Sequence, residues 1–305
     1  MALQFTMNRK FIYLINPFSG TKNKERLIKL IIKRTRNENI PYEIVQTNAD
    51  ADYRFLTDKI ESENITDIIV CGGDGTVNQV ASAVRHLNVN IGIIPMGSGN
   101  GLALSAGIPR NAGKAIDIIM EGKAEKIDAF LINGNFSCML CGLGFDAQVA
   151  HDFAKQHKRG LVNYTKHTIK NFFSATPYPF VVRINEMIII TDAFFVSIAN
   201  SNQFGNNVTI APQASICDGL IDIVIVNKMS KMKLLYSIIK QILSGTVDKT
   251  QQKNYRREDI FYYQAKKLTI ENPKFAPLHI DGDPADTAAD FNISVVENAF
   301  SLIQA

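Results

Sequence analysis

The first 130 residues alternate short apolar runs with stretches of helical periodicity. The run Phe11–Ile15 is apolar on both faces, which is typical of a strand covered by helices on each side. The alternation predicts a doubly wound, mainly parallel α/β domain. The predicted strands are Phe11–Ile15, Tyr42–Thr47, Asp67–Cys71 and Ile91–Ile94, and the predicted helices include Asp52–Glu63 and Ala112–Met120, the latter ended by Gly122.

The pattern changes after about residue 128. Asn133-Gly134 separates the apolar runs Ala129–Ile132 and Phe136–Leu140, and it predicts a hairpin because this dipeptide readily adopts positive φ. Further runs predict an antiparallel, β-sandwich-like domain that two helical insertions interrupt. The runs are Phe180–Ile184, Ile188–Thr191, Ala193–Ala199, Leu220–Val226, Leu268–Glu271 and Phe291–Val296, and the insertions are Ala147–Phe173 and Ser230–Leu243.

The two patterns divide the chain into two predicted domains. A length of 305 residues is typical of two domains, each with its own hydrophobic core. We expect an α/β domain over residues 8–128 and a β-rich domain over residues 129–290. Residues 291–305 are expected to pack back onto the first domain.

Composition and charge exclude several classes of protein. With 46% apolar and 20% charged residues, the chain is neither disordered nor a disulfide miniprotein. A net charge of +4 is too small for a dedicated nucleic-acid binder. No apolar run approaches the ~18 residues of a membrane span, and the first residues lack the features of a signal peptide. We therefore expect a cytoplasmic chain.

The four cysteines are too few for a disulfide framework in a chain of this length. Cys138 and Cys141 form one CxxC pair, but they fall in a strand-like run in which positions i and i+3 point to opposite faces. The sequence therefore predicts buried thiols here, rather than a zinc or redox site.

Three loops of small residues follow three of the predicted parallel strands. They are Asn16–Gly20, Gly72–Asn78 and Gly97–Gly101. Open α/β sheets bind ligands at the carboxyl ends of their strands, and backbone N–H groups in such loops can approach an anion closely. A single loop of this kind is as readily a plain tight turn. Three such loops on one edge of the sheet favour a nucleotide-binding site.

Common nucleotide-binding fingerprints are absent from these loops. The chain has neither G-x-x-x-x-G-K-[ST] nor G-x-G-x-x-G, so a P-loop enzyme, a Rossmann dehydrogenase and a protein kinase are not supported. Asp74 lies inside the second loop. A carboxylate beside phosphates is repulsive unless a cation lies between them, which implies Mg²⁺. The alternative is an Asp that caps the following helix.

The loop sequence Gly72-Gly-Asp-Gly-Thr-Val-Asn78 resembles the signature of the diacylglycerol kinase catalytic domain superfamily. This superfamily includes bacterial lipid kinases, sphingosine kinases and, more distantly, NAD kinases and phosphofructokinases. The resemblance covers nearly the whole chain. Its other segments are Asn16–Gly20, Pro95–Asn100, Gly142–Asp146, Ala211–Ala214, Asp218–Asp222 and Asp281–Asp283.

The resemblance implies a set of functional residues. ATP contacts are expected from Asn16, Pro17, Ser19, Gly20, Thr47, Gly72, Gly73, Asp74, Gly75, Thr76, Asn78, Gly97, Ser98 and Asn100. A structural Mg²⁺ is expected at Asp218 with the backbone carbonyls of Ser215 and Leu220. The expected catalytic residues are Asp283 as base, Asp281 in support and Asp74 at the metal and phosphates.

The chain departs from the family pattern at two motifs. Asp283 occupies a place that usually holds Glu and is one methylene shorter, which affects its reach to a substrate hydroxyl. The segment Gly97–Asn100 is similar to the sphingosine kinase version of its loop, which keeps a sphingoid base open as acceptor. Without the loops, an acidic pair such as Asp281 and Asp283 is more typical of a surface turn.

The resemblance implies an ATP- and Mg²⁺-dependent lipid kinase, with its active site in the cleft between the domains and a diacylglycerol-like or sphingoid acceptor. Two alternatives stay open, an NAD kinase-like phosphotransferase and a catalytically silent lipid- or nucleotide-binding module. The expected partners are ATP and a lipid at the inner membrane face; a homodimer is also compatible with the sequence. Residues 147–173 carry five basic side chains against Asp152 alone, a pattern typical of membrane docking or of a solvated basic face.

Overall fold

A computed structural model describes residues 9–20, 23–47, 52–154, 176–205, 208–227, 255–257 and 260–305. The chain divides into two compact units. Unit 1 is Met1–Ile127 with Asn298–Ala305, and unit 2 is Asp128–Glu297. The second predicted insertion, residues 230–243, and residues 155–173 of the first lie outside the described residues.

Unit 1 is an α/β unit whose strands run parallel. Its elements are β1 (Phe11–Ile15), α1 (Lys24–Asn37), β2 (Tyr42–Gln46), α2 (Phe55–Glu63), β3 (Asp67–Gly72), α3 (Asp74–Val84), β4 (Asn90–Pro95), α4 (Gly101–Ser105) and α5 (Ala112–Glu121). Two strands connect the units along the chain, β5 (Ala124–Ile132) and β18 (Asp290–Ile303). The order is β2-β1-β3-β4-β18, and all neighbouring pairs are parallel.

The four predicted strands of unit 1 are confirmed, with each end within one residue. The register places their carboxyl ends together, because Ile15 pairs with Cys71 and Cys71 pairs with Ile94. Helix α2 begins at Phe55 rather than at Asp52. The carboxylate of Asp52 instead accepts hydrogen bonds from Arg54, whose backbone N–H lies 3.1 Å away.

Burial on both faces stabilises this sheet. All five residues of β1 are buried, and Phe11, Tyr13 and Ile15 share one core with residues of α1 and α5. The Tyr13 hydroxyl lies 2.7 Å from Thr35 Oγ1, and burial raises its pKa. Helix α5 ends at Gly122 with φ +70°, as predicted, in the left-handed conformation that glycine adopts most readily.

Unit 2 is an antiparallel β unit with one described helix. Its elements include β6 (Asn135–Ser137), β7 (Leu140–Gly144), α6 (Phe145–Ala154), β8 (Tyr178–Ile184), β9 (Met187–Ala199), β10 (Gln203–Gly205), β11 (Val208–Thr209), β12 (Ile221–Asn227), β13 (Tyr255–Arg257), β14 (Ile260–Ala265), β15 (Lys267–Glu271), β16 (Leu278–Ile280) and β17 (Asp283–Ala285). The main order is β13-β14-β12-β9-β8-β15-β18. Phe130, Phe180, Val196, Phe261 and Phe291 lie in its core.

The long strand β9 corrects the prediction of two strands, Ile188–Thr191 and Ala193–Ala199. Asp192 lay between the two predicted runs, but the strand continues through it. The Thr191 hydroxyl donates a hydrogen bond to Asn227 Oδ1 over 2.7 Å. One edge of β9 is divided, because its first half pairs with β8 and its second half with β7.

Two tight hairpins in the described chain have the same backbone conformation. Asn133 and Gly134 connect β5 to β6 with φ of +47° and +83°, which confirms the predicted hairpin. Asp281 and Gly282 connect β16 to β17 with φ of +49° and +87°. Positive φ at both central residues defines the type I′ turn that Asn-Gly and Asp-Gly favour.

The predicted run Phe136–Leu140 is not one strand. It divides into β6 and β7, because backbone N–H groups of the connection donate to the carboxylate of Asp281 instead of to a neighbouring strand.

Cys138 and Cys141 are both buried thiols, as predicted. None of the helices within the described ranges is long and apolar enough to cross a membrane.

Candidate active site

The three small-residue loops of unit 1 begin at one edge of its sheet, and side chains join them. The Asn16 side-chain amide donates a hydrogen bond to Thr76 Oγ1 over 2.8 Å and so connects the first loop to the second. Asn16 Oδ1 accepts from the backbone N–H of Phe18, also over 2.8 Å. The polar side chains of Asn16 and Thr76 therefore shape the loops from within.

The second and third loops touch backbone to backbone at two glycines. A Cβ atom at Gly97 would lie 2.6 Å from Gly73 Cα, and one at Gly73 would lie 3.1 Å from Gly97 Cα. Gly20 of the first loop has φ +58°, and a Cβ there would lie 2.1 Å from the Met96 carbonyl oxygen. Glycine is required at these positions because any side chain would separate the loops.

Asp74 is the first residue of α3, but it does not cap that helix. Its Oδ1 atom lies 3.4 Å from the backbone N–H nitrogen of Leu102, and N–H groups of Asn100 and Gly101 also point at the carboxylate. Burial raises the pKa of Asp74, and these donors partly offset the effect. The carboxylate thus links the second loop to the start of α4.

Asn100 uses its side chain to close the third loop. Its Oδ1 atom accepts from the Gly97 N–H over 2.8 Å, and its Nδ2 atom donates to the Gly97 carbonyl over 2.7 Å. Asn100 is buried with φ +57°. Ser98, at the tip of the same loop, is exposed.

The remaining expected ATP contacts lie around this edge. Thr47 follows β2, and its N–H donates to the Ile15 carbonyl over 3.0 Å. Pro17 and Gly20 are exposed, Ser19 is buried, and Asn78 is partly buried on α3. Gly72 is buried at the end of β3, and Gly75 is partly buried in the first turn of α3.

Two cationic side chains at these loops were missed by the sequence analysis. The Lys24 ammonium group donates a hydrogen bond to the carbonyl of Ser19 in the first loop. Arg110 donates from Nη2 to the carbonyl of Gly99 in the third loop over 2.9 Å. Phosphate groups are usually bound by cationic side chains as well as by N–H groups. A search for basic residues near the three loops could therefore have indicated Lys24 and Arg110.

Asp281 in unit 2 is buried and accepts hydrogen bonds from four residues of the β6–β7 connection. Ser137 Oγ lies 2.7 Å from Oδ1, and the N–H nitrogens of Met139 and Leu140 lie 3.2 and 2.9 Å from the same atom. The Cys138 N–H nitrogen lies 3.2 Å from Oδ2. This carboxylate therefore anchors the β16–β17 turn.

Asp283 is exposed and directly follows the anchored turn. It pairs across the hairpin with Ile280. The two acidic residues of this motif therefore differ in environment: Asp281 faces inward and Asp283 faces solvent. The exposed carboxylate of Asp283, on a fixed turn, can accept a proton from an external hydroxyl group. The inward carboxylate of Asp281 already accepts hydrogen bonds from backbone N–H groups.

The expected metal loop lies before β12. Asp218 is exposed, and its Oδ1 accepts from the Leu220 N–H over 3.1 Å, while Ser215 is partly buried. The N–H of Gly219 donates to Asp128 Oδ2 over 2.7 Å, which fastens the loop to β5. In the part of the chain that is described, no three His, Cys, Asp or Glu side chains cluster as a metal site.

A buried carboxylate lies next to this loop. Asp222 accepts hydrogen bonds at Oδ1 from the Tyr262 hydroxyl and from Gln264, and its Oδ2 atom has no hydrogen-bond partner among the described residues. Burial raises the pKa of Asp222 to about 6, and the nearby Asp218 adds to the rise. Hard cations such as Mg²⁺ and Ca²⁺ prefer oxygen ligands, so the Oδ2 atom of Asp222 is a suitable ligand for such an ion.

Comparisons with known proteins agree with this architecture. The profile described as "Diacylglycerol kinase catalytic domain" matches residues 10–132, and that described as "YegS C-terminal NAD kinase beta sandwich-like domain" matches residues 140–304. The chain is 25% identical over 289 residues to "Probable lipid kinase YegS" of Salmonella typhimurium, covering 92% of each. It is 25% identical over 265 residues to "Probable lipid kinase YegS-like" of Shewanella frigidimarina, covering 85% of this chain and 82% of that one.

A solved structure shares the fold. The crystal structure of a diacylglycerol kinase from Bacillus anthracis str. Sterne has a TM-score of 0.73, with 18% identity and 97% of both chains covered. The predicted fold class, a mainly parallel α/β domain followed by an antiparallel β-sandwich-like domain, is confirmed. Fold and profiles together define a kinase, which is a phosphotransferase. The chain belongs to the lipid kinase family that joins a diacylglycerol kinase catalytic domain to a YegS-type C-terminal domain.

Proposed function

We propose that this protein is an ATP- and Mg²⁺-dependent lipid kinase that phosphorylates a hydroxyl group of a diacylglycerol-like lipid or a sphingoid base. The observation that carries the proposal is the joined edge of unit 1, where three loops of small residues come together at the ends of β1, β3 and β4. Such an edge suits a chain of phosphates, since backbone N–H groups can approach the anion without side chains between them.

The phosphates of ATP would bind at the start of α3. The N–H groups of Gly75 and Thr76 lie in its first turn and have no acceptor within the helix, and the helix dipole favours an anion there. Lys24 places an ammonium group beside the first loop. Together these groups supply the N–H donors and the positive charge that a triphosphate requires.

Mg²⁺ would be held at this edge by Asp74 and the phosphates. Magnesium usually retains several waters and takes only one or two carboxylates, so a single carboxylate that also accepts backbone N–H bonds fits a water-mediated contact. When bound, the ion neutralises charge on the phosphate oxygens. Asp74 also holds the second loop against α4, and so keeps the phosphate-binding N–H groups in place.

Asp283 would act as the general base. The lipid hydroxyl oxygen attacks the γ-phosphorus, the bond from that phosphorus to the β–γ bridging oxygen breaks, and ADP leaves with the electron pair. The hydroxyl proton passes to the carboxylate of Asp283. We assign Asp281 a positioning role, because its hydrogen bonds with the β6–β7 connection fix the turn that carries Asp283.

The loop of Asp218 would hold a structural cation. The carboxylate of Asp218 and the carbonyls of Ser215 and Leu220 are oxygen ligands of the kind that Mg²⁺ and Ca²⁺ prefer. The buried Asp222 carboxylate beside this loop supports the proposal. A cation there would stabilise unit 2 and take no part in the transfer.

Phosphorylation of NAD is a second candidate, since the C-terminal profile is described as NAD kinase beta sandwich-like.

For the lipid kinase, a lipid acceptor further implies contact with a membrane surface from the cytoplasmic side. A homodimer is compatible with this contact.

A panel of acceptors tests the function. Purified protein, Mg²⁺ and γ-labelled ATP are incubated with vesicles that contain either diacylglycerol, a sphingoid base or neither, and separately with NAD. We expect label in one lipid product and a loss of that product when EDTA is added. Labelled NADP, with no labelled lipid in any vesicle, would favour the second candidate. Label in no acceptor would contradict both.

A further inference from the structure

The position of Asp283 depends on a turn of only two residues. Asp281 and Gly282 connect β16 to β17, both with positive φ, and Asp283 is the first residue after them. Asp281 is fixed by its hydrogen bonds with the β6–β7 connection. Gly282 has no side chain, so whatever orients its peptide also orients the backbone from which the Asp283 carboxylate projects.

The side chain of His279 contacts that peptide. Its ring is fully buried in β16, and Nδ1 accepts a hydrogen bond from the Gly282 N–H over 3.3 Å. An accepting Nδ1 carries no proton, so the neutral ring is protonated at Nε2. The tautomer of a histidine is set by the partner of its other nitrogen.

The carboxylate of Asp146 faces that other nitrogen. Its Oδ2 atom lies 3.5 Å from His279 Nε2, an electrostatic contact that does not have hydrogen-bond geometry, and both side chains are buried. Asp146 belongs to α6, and its Oδ1 atom accepts from the Ala147 N–H over 2.8 Å. A buried carboxylate facing Nε2 favours the proton on that nitrogen, which leaves the lone pair of Nδ1 for Gly282.

Space for this pair is provided by Gly142 on β7. Gly142 pairs with His279 across the sheet, and a Cβ atom on it would lie 1.9 Å from Asp146 Oδ2 and 2.6 Å from His279 Nε2. Any other residue would push the imidazole and the carboxylate apart. The glycine is therefore needed for the contact between Asp146 and His279.

Helix α6 contacts β16 at a second point. The His151 ring lies with Nε2 2.7 Å from the carbonyl oxygen of Leu278, the residue before His279. Two consecutive residues of β16 are thus held by two side chains of one helix. Asp146 and His151 together fix α6 against the strand that leads into the turn.

We propose that His279 is a positioning residue for Asp283: its Nδ1 fixes the Gly282 peptide, and Asp146 holds the ring in the tautomer that can do so. The inference rests on the proposed function, because it takes Asp283 as the base. His279 transfers no proton itself. Small displacements of a reacting group reduce rates by about 100-fold per ångström, so a loosened turn lowers kcat and leaves ATP binding unchanged.

Two substitutions of His279 separate the roles of its nitrogens. In His279→Asn the side-chain oxygen can occupy the place of Nδ1 and accept from Gly282, whereas the donor toward Asp146 is lost. In His279→Gln the terminal amide can occupy the place of Nε2 and donate to Asp146, whereas the acceptor for Gly282 is lost. Both variants remove the imidazole and leave a neutral polar side chain, so each is the control for the other.

We expect His279→Gln to lower kcat by about 10- to 100-fold, with the KM for ATP changed less than twofold, and His279→Asn to retain most of kcat. The melting temperatures of both variants are measured alongside. Equal loss of kcat in the two variants, or a His279→Gln enzyme as fast as wild type, would overturn the inference.

Asp146→Asn provides a second route if His279→Gln does not fold. The Asn oxygen keeps the bond from the Ala147 N–H, so the amide NH₂ faces His279 Nε2. That nitrogen must then accept, the ring proton moves to Nδ1, and the Gly282 bond is lost. We expect a reduced kcat and a ring proton on Nδ1 by ¹⁵N NMR of labelled histidine. A ring proton that remains on Nε2, or a wild-type kcat, contradicts the mechanism.

Asp283→Asn is measured in the same assay, so that the two ideas fail separately. If Asp283→Asn is inactive while the His279 variants and Asp146→Asn are as active as wild type, only the positioning role is wrong. If Asp283→Asn keeps wild-type activity, the base assignment fails, and the role of His279 in positioning that base fails with it.

Discussion

The Asn16 side-chain amide donates a hydrogen bond to the Thr76 hydroxyl over 2.8 Å, and this bond joins two loops that are 60 residues apart in the sequence. We expect Asn16→Ala and Thr76→Val each to raise the KM for ATP about fivefold, which corresponds to the loss of roughly 1 kcal/mol from one hydrogen bond.

A double-mutant cycle checks this prediction. The two changes should not add, because each removes the same bond, and Thr76→Ser should restore most of the affinity by retaining the hydroxyl. Ser82→Ala, on the same helix but away from the loops, is the control. Fully additive effects of Asn16→Ala and Thr76→Val would show that the bond does not hold the loops together.

Asp74→Asn keeps the shape of the side chain and an oxygen that can accept from the Leu102 N–H, but it removes the charge beside the phosphates. We expect kcat to fall by at least about 100-fold at saturating ATP and Mg²⁺, with the melting temperature nearly unchanged. A near-normal kcat would show that Asp74 only links the second loop to α4 and takes no part in holding the metal.

Lys24→Met removes the ammonium group beside the first loop and preserves the length of the side chain. We expect the KM for ATP to rise about 10-fold or more, since hydrogen bonds to charged groups contribute about 1.5–3 kcal/mol. Lys29→Met is the matched control, because Lys29 is exposed on the same helix. Equal effects of the two substitutions would indicate a general loss of positive charge instead of a local contact.

Removal of the proposed structural cation should destabilise unit 2. We expect EDTA to lower the melting temperature of the wild type by several degrees and to have no effect on Asp218→Ala, which should already melt at the lower temperature. The residues of unit 1 that we propose bind ATP are unchanged in this variant. A melting temperature that neither EDTA nor Asp218→Ala alters would argue that no ion binds at this loop.

The sequence was informative about several features that depend on neighbouring residues. The four parallel strands and the Asn133-Gly134 hairpin were predicted because apolar runs and turn dipeptides are local signals. The short strands β16 and β17 were missed, since three residues show no periodicity. Asp281-Gly282 is nevertheless a hairpin dipeptide of the same kind, and it could have indicated the turn.

The site was less predictable than the fold because its contacts are distant in the sequence. Spacing along the chain does not reveal that Asp74 faces α4 instead of capping α3, or that Asp281 binds N–H groups more than 140 residues away. The same holds for His279 and Asp146, which meet only because β7 and β16 pair. Motif resemblance supplied the candidate residues. The fold then distinguishes Asp74 and Asp281, whose carboxylates face inward, from the exposed Asp283.

The most direct test of the account is the rate of phosphoryl transfer from γ-labelled ATP to the best lipid of the panel, measured for wild type, Asp283→Asn and Asp283→Glu. General-base loss predicts a kcat about 10² to 10⁴ times lower for Asp283→Asn, with the KM for ATP nearly unchanged, and retained activity for Asp283→Glu. An Asp283→Asn enzyme that phosphorylates the lipid as fast as wild type would contradict the account, and the base would have to be sought elsewhere.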